Sequence, residues 1–157
     1  MAERVKILVA TMTGNAELCA DEMADAMRAR GVAAEVVAMD GLDATVFGDD
    51  CRFVICTSTY GQGDVPDNGQ ALYLALTDGK PDLGHVTYGV FGLGDSTYVD
   101  TFGFGGKRFD EALSACGAQR IGEVLVHDAS SGELPEDAAQ PWAEAWLDAL
   151  AAVAEAA

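Results

Sequence analysis

Short apolar runs alternate with helix-like stretches along this chain, and that alternation narrows the fold more than any other feature. Val5 to Ala10 reads as a buried strand. The stretch 17–30 then places Leu18, Cys19, Met23, Ala26 and Met27 on one helical face, and Gly31 ends it. Four more strands are expected over 34–38, 53–57, 86–91 and 121–127. Helices are expected over 68–77 and 107–116, stopped by the Asp78-Gly79-Lys80-Pro81 turn and by Gly117. A last helix carries Trp142, Trp146, Leu150 and Val153 at steps of four, four and three, a stripe that should pack on the sheet. Near-continuous apolar strands alternating with helices belong in a parallel sheet covered on both faces. The expectation is an α/β fold of three layers. It has a doubly wound five-stranded parallel sheet in the order 2-1-3-4-5, with a ligand crevice at the carboxyl ends of strands 1, 3 and 4.

The 157 residues suit a single domain over 1–157, and neither a repeat nor a linker interrupts them. Only 9 basic side chains stand against 26 acidic ones, a formal charge of -17. Such a surface does not suit a nucleic-acid backbone or an anionic membrane, which need cationic patches. It favours a soluble protein that docks on basic partners, although acidity also serves plain solubility, and a monomer is expected. No charged, apolar and cleavable segments follow one another at the N-terminus, and no apolar stretch is long enough to span a bilayer, so a cytoplasmic protein is expected. Cys19, Cys51, Cys56 and Cys116 form no C-x-x-C pair and are expected to be reduced and mostly buried, Cys56 as a core thiol. His85 and His127 lack ligand spacing, so no metal site is expected, and both suit the surface or a strand end.

The chemistry-bearing residues fall in three loops, after strands 1, 3 and 4. The first, Thr11-Met12-Thr13-Gly14-Asn15-Ala16-Glu17, opens a helix. Backbone N–H groups, the helix dipole and neutral side-chain donors at such a place suit a phosphate monoester. The loop holds no Lys or Arg, and it is neither a P-loop nor a G-x-G-x-x-G fingerprint. A plain capping turn is the other reading of this loop, and the anion preference of helix N-termini favours phosphate. The second loop runs from Ser58 to Asn68 and contains Tyr60, Gly61 and Gly63. The third runs from Gly92 to Gly106 with Leu93, Gly94, Asp95, Tyr98 and Phe102. Each of these could be a surface loop with an incidental aromatic. Three such loops at the mouth of one sheet are much harder to explain that way.

The segments TMTGNAE, STYGQGDVPDN and FGLGDSTYVDTF, followed by GKRFDEAL, resemble the flavodoxin family. The likeness is closest to the flavodoxin-like domains of diflavin reductases, such as sulfite reductase flavoprotein, and to the small stand-alone bacterial proteins related to them. It covers nearly the whole chain, including the tail ELPEDAAQPWAEAWLDAL. The resemblance implies a flavodoxin-like fold that binds FMN without a covalent bond. It puts the phosphate on Thr11, Met12, Thr13, Gly14, Asn15 and Ala16. Ser58, Thr59, Tyr60, Gly61 and Gly63, with Leu93, Gly94 and Asp95, would contact the ring or ribityl chain. Tyr60 and Tyr98 would flank the two ring faces. After Tyr98 the segment VDTFGFGG is one residue longer than in relatives, so Phe102 and Phe104 also compete for the outer face. The region from His127 to Pro135 is short, as in the short-chain flavodoxins.

Flavin carries the redox chemistry and the protein sets its potentials. Asp64, Asp67, Asp95 and Asp100 would surround the ring with negative charge. A carboxylate about 6 Å from a reduced anionic ring, at an effective dielectric of about 20, disfavours it by roughly 3 kcal/mol. That is on the order of 100 mV per charge, so the second electron is harder to add than the first. A flip of the Gly61-Gln62 peptide would offer the singly reduced ring an acceptor, because glycine tolerates both backbone states. No acid, base or nucleophile constellation appears, so no catalytic residue is expected. The expected function is single-electron transfer between a flavoprotein reductase and an acceptor enzyme. The alternative is a flavin-dependent reductase of quinones or similar substrates, which needs an open ring face. A signalling receiver of the same topology needs paired carboxylates after strand 1 and a Lys after strand 5, and this chain has neither.

Overall fold

The computed structural model describes residues 4–10, 15–40, 42–48, 51–58, 67–94, 104–122, 124–128 and 135–156. In chain order these form β1 (Arg4–Ala10), α1 (Asn15–Ala29), β2 (Ala33–Ala38), a 3-10 turn (Ala44–Gly48), β3 (Arg52–Ser58), α2 (Asp67–Gly79), β4 (Thr87–Gly94), α3 (Phe104–Ala115), β5 (Gln119–Arg120), β6 (Leu125–Asp128) and α4 (Pro135–Ala156). Every strand pairing is parallel, and the sheet order is β2-β1-β3-β4-β5, with β6 also paired to β4. The doubly wound order expected from the sequence is therefore the observed one.

Side chains alternate across the strands and build two cores. Val5, Ile7 and Val9 of β1, Val54 and Cys56 of β3, and Phe91 and Leu93 of β4 face α1 and α4. Leu8 and Ala10, Phe53 and Ile55, and Tyr88 and Val90 face the 3-10 turn, α2 and α3. Strands buried on both faces need apolar residues at both parities, which is why they read as continuous runs. The tryptophan stripe is core as expected: Trp142 and Trp146 stack with ring centres 6.0 Å apart, and Phe91 meets Trp142 edge-on at 5.7 Å. The four cysteines are buried and none is in a disulfide.

Two expectations need correction. Leu18 was placed on the buried face of the first helix, but it is 53 % exposed. It shares the outer face with Asp21, Glu22 and Asp25 at steps of three, four and seven. Ala16, Ala20 and Ala24 join Cys19, Met23 and Met27 beneath the helix instead. The second correction concerns the fifth strand, expected to run unbroken over 121–127. It is two short pieces, β5 and β6, that pair with successive parts of β4. Gly122 between them holds φ +74, outside the extended region a strand requires, and its carbonyl accepts a 2.9 Å hydrogen bond from Nε of Arg120. His127 is the penultimate residue of β6, at the strand end as expected, and is buried there.

A polar lock ties this region together. The Tyr88 hydroxyl donates to Oδ1 of Asp110 in α3 at 2.7 Å, and Nη1 of Arg120 in β5 reaches Oδ2 at 2.6 Å. Burial, then the hydrogen bond to Asp110, pushes the Tyr88 hydroxyl well above its ordinary value of 10.0. From about pH 10 upward the unfolded chain releases this proton while the folded chain keeps it, so stability falls as pH rises. Tyr88→Phe should remove that part of the fall. Urea midpoints for both proteins from about pH 8 to pH 11 check it: the gap between them should narrow at the alkaline end.

Candidate functional site

The strand ends converge. Ala10, the last residue of β1, stands opposite Thr57 of β3. Ser58, the last residue of β3, stands opposite Leu93, and Gly94, the last of β4, opposite Asp128 of β6. Four carboxyl ends thus finish within about two residues of one line. With neighbouring strands about 4.8 Å apart, β1 and β4 are separated by roughly 10 Å. The chain leaves β1 toward β2 and α1, and leaves β3 toward α2 on the opposite face of the sheet. The switch in winding direction therefore lies between β1 and β3, where a doubly wound sheet opens its crevice.

The helices that follow are seated tightly. Ala16 in the first turn of α1 has no exposed surface. Its carbonyl accepts a hydrogen bond from the Cys56 thiol of β3, with Sγ 3.3 Å away. At the start of α3, a Cβ on Gly106 would lie 3.2 Å from Cγ1 of Val90 and 3.5 Å from Cα of Gly92. The first turn of α3 therefore rests close on β4, where an added Cβ would press on the Val90 side chain. Each helix begins at the edge where the strands end, so the free N–H groups of its first turn are delivered to that edge.

Among the expected site residues, Asn15 opens α1 and Ala16 follows it. Ser58 closes β3, and Leu93 and Gly94 close β4. The structure brings these five to one edge. Leu93 is buried with its side chain in the core under α1 and α4, so its backbone is what it offers at the edge. Thr11, Met12, Thr13, Gly14, Thr59, Tyr60, Gly61, Gly63, Asp95, Tyr98 and Phe102 lie outside the described residues. Two features were missed in the sequence: the Cys56 contact with Ala16 and the seating of Gly106 on Gly92. Strand parity could have found the first, since Cys56 shares its face with Val54, which packs toward α1.

Charge is distributed unevenly along the strand axis. Arg4 and Lys6 lie in the first half of β1, Arg52 begins β3, Arg28 and Arg30 close off α1, Lys80 follows α2, and Arg120 lies in β5. These seven are placed toward the edge away from the converging strand ends. Only Lys107 and Arg108, early in α3, lie toward it. Acids lie at both edges: Glu17 in α1, Asp40 after β2, Asp67 at the start of α2 and Asp137 near the start of α4 lie toward the strand ends, and Asp25, Glu35, Asp78, Asp82 and Asp148 lie toward the other edge. No group of three or more metal-ligating side chains stands together among the described residues. No described helix is long and apolar enough to cross a membrane.

These features define a class: a doubly wound α/β protein whose strand ends and the first turns of the following helices converge at the carboxyl edge of its sheet. The Flavodoxin family profile matches residues 7–142, and the chain belongs to that family. Flavodoxin YqcA of Escherichia coli is 41 % identical over 146 residues, covering 93 % of this chain and 97 % of that one. The solved structure of a cysteine-to-alanine mutant of flavodoxin from Pseudomonas aeruginosa superposes with a TM-score of 0.83 at 36 % identity, over 94 % of this chain and 98 % of its own. The sulfite reductase [NADPH] flavoprotein alpha-component of Mannheimia succiniciproducens is 36 % identical over 118 residues, 74 % of this chain but 20 % of that protein. Family membership implies FMN as the cofactor. The residues present fit it. The first turn of α1 is seated against the sheet through the buried Ala16, so its free backbone N–H groups stand at the edge where a phosphate would be held.

Proposed function

We propose that this chain is a single FMN-binding domain over 1–157 that carries electrons one at a time from a flavoprotein reductase to an acceptor enzyme. The observation that carries this reading is the pairing of Ala10 with Thr57 and of Ser58 with Leu93. It gathers the three loop-bearing strand ends at one edge. Residues Thr11 to Ala16 hold the phosphate through backbone N–H groups and neutral side chains. Ser58 to Gly61, Gly63 and Leu93 to Asp95 hold the ribityl chain and the ring edge. Tyr60 and Tyr98 cover the ring faces, with Phe102 beside the outer one, and exclude water. Bound FMN supplies one-electron redox chemistry. Asp64, Asp67, Asp95 and Asp100 raise the cost of the second electron, and the formal charge of -17 steers basic partner proteins to the chain. The chain acts as a cytoplasmic monomer.

Stepwise reduction with dithionite under anaerobic conditions tests this. Two resolved one-electron steps in the visible spectrum are expected, with no steady oxidation of NAD(P)H by the chain alone when a quinone is supplied. Steady turnover with quinone would instead make it a reductase in its own right.

A further inference from the structure

Cys56 lies two residues before the end of β3, with no exposed surface. Its thiol donates to the carbonyl of Ala16, 40 positions earlier in the chain, at 3.3 Å. Ala16 belongs to the first turn of α1 and is also wholly buried. Cys19, one turn further along the same helix, is buried in the same seam. Burial, with Cys19 close by, pushes the Cys56 thiol well above its usual range, so it retains the proton it donates. A carbonyl in the first turn of a helix ordinarily has only the helix's own N–H four residues on. Here it has a second tether, and that tether runs to the strand that leads into the segment after Ser58.

We propose that Cys56 is a positioning residue for phosphate recognition: its thiol holds the first turn of α1 against β3 and so sets the placement of the phosphate-binding N–H groups. The proposal rests on the FMN reading above. It differs from ordinary core packing in the ligand it affects. A loosened first turn weakens the grip on a phosphate, because N–H donors must converge on one small anion. Ring contacts, made by segments that leave β3 and β4, do not depend on that turn.

The test uses the full-length chain freed of flavin and titrated separately with FMN and with riboflavin, following flavin fluorescence. Cys56→Ala removes the donor, Cys56→Ser returns one at nearly the same volume, and Cys56→Val fills the space without a donor. The alanine and valine variants should bind FMN about fivefold more weakly, the loss of one modest hydrogen bond, with riboflavin affinity unchanged. The serine variant should recover most of the FMN affinity. Thermal melts of each variant identify any that does not fold, and the remaining donor-free variant then carries the comparison with serine. Equal losses for FMN and riboflavin, or no loss for either, would overturn the proposal, as would identical behaviour of serine and alanine. Failure of the unaltered chain to bind FMN at all would overturn the FMN reading itself and the proposal with it.

Discussion

Gly89→Ala should lower stability by about 3 kcal/mol, at the upper end of what one added methyl costs in a packed core. Gly89 lies in β4 under α4. A Cβ there would stand 2.8 Å from both Cδ1 and Cε2 of Trp146, where real Cβ atoms do not come. The indole has nowhere to retreat. It is 3 % exposed and stacks on Trp142 with the planes 14° apart, while Trp142 is held edge-on by Phe91. Its Nε1 is buried with no hydrogen-bond partner among the described residues, so contact between the indole and the bare β4 backbone holds it in place. Trp146→Leu should cost stability alone, as any large-to-small core change does. Combined with Gly89→Ala it should cost clearly less than the sum, with about 1 kcal/mol or more of favourable coupling, because the clash is gone. Urea midpoints with unchanged slopes would report this. A Gly89→Ala protein within about 0.5 kcal/mol of its parent would contradict the packing described.

The second large effect concerns the cofactor. FMN affinity of the flavin-free chain should rise on the order of tenfold as salt goes from about 10 mM to about 200 mM. The usual phosphate site behaves in the opposite way, since salt weakens contacts to Lys and Arg. Here residues 11–16 hold no cation, and the whole chain carries -17. FMN arrives with a phosphate of nearly two negative charges at pH 7. The repulsion reaches over about 30 Å at the lower salt and under 10 Å at the higher, so salt removes most of it. The short-range N–H contacts stay as they are. Riboflavin, which lacks the phosphate, should show little dependence. Isothermal titrations of both ligands at the two salt concentrations decide the matter, and an FMN affinity that falls with salt would point to a cation in the cradle.

Much of the fold was legible because burial on both sheet faces leaves a plain mark. Val5 to Ala10 and Phe53 to Thr57 have apolar residues at both parities, and they became central strands. Leu18 was misplaced because it adjoins Cys19, although its own spacing to Asp21, Glu22 and Asp25 marks the solvent face. The fifth strand was drawn unbroken because Ile121, Leu125 and Val126 are apolar. A single glycine with positive φ outweighed them. The site was legible as a set of loops and residue types, since hydroxyls, amides and glycines at strand-to-helix turns state which ligand chemistry is possible. What escaped was contact between elements distant in sequence. Cys56 and Ala16 meet only because α1 packs across β3, and Gly106 and Gly92 only because α3 returns to β4. Neither pair is marked by local spacing.

Everything proposed for this chain requires that the edge formed by Ala10, Ser58 and Gly94 hold FMN. The direct measurement is the flavin content of the purified chain, read from its visible spectrum and checked by releasing the cofactor and identifying it. The prediction is a yellow protein with one FMN per chain. A colourless chain that takes up no added FMN would contradict it.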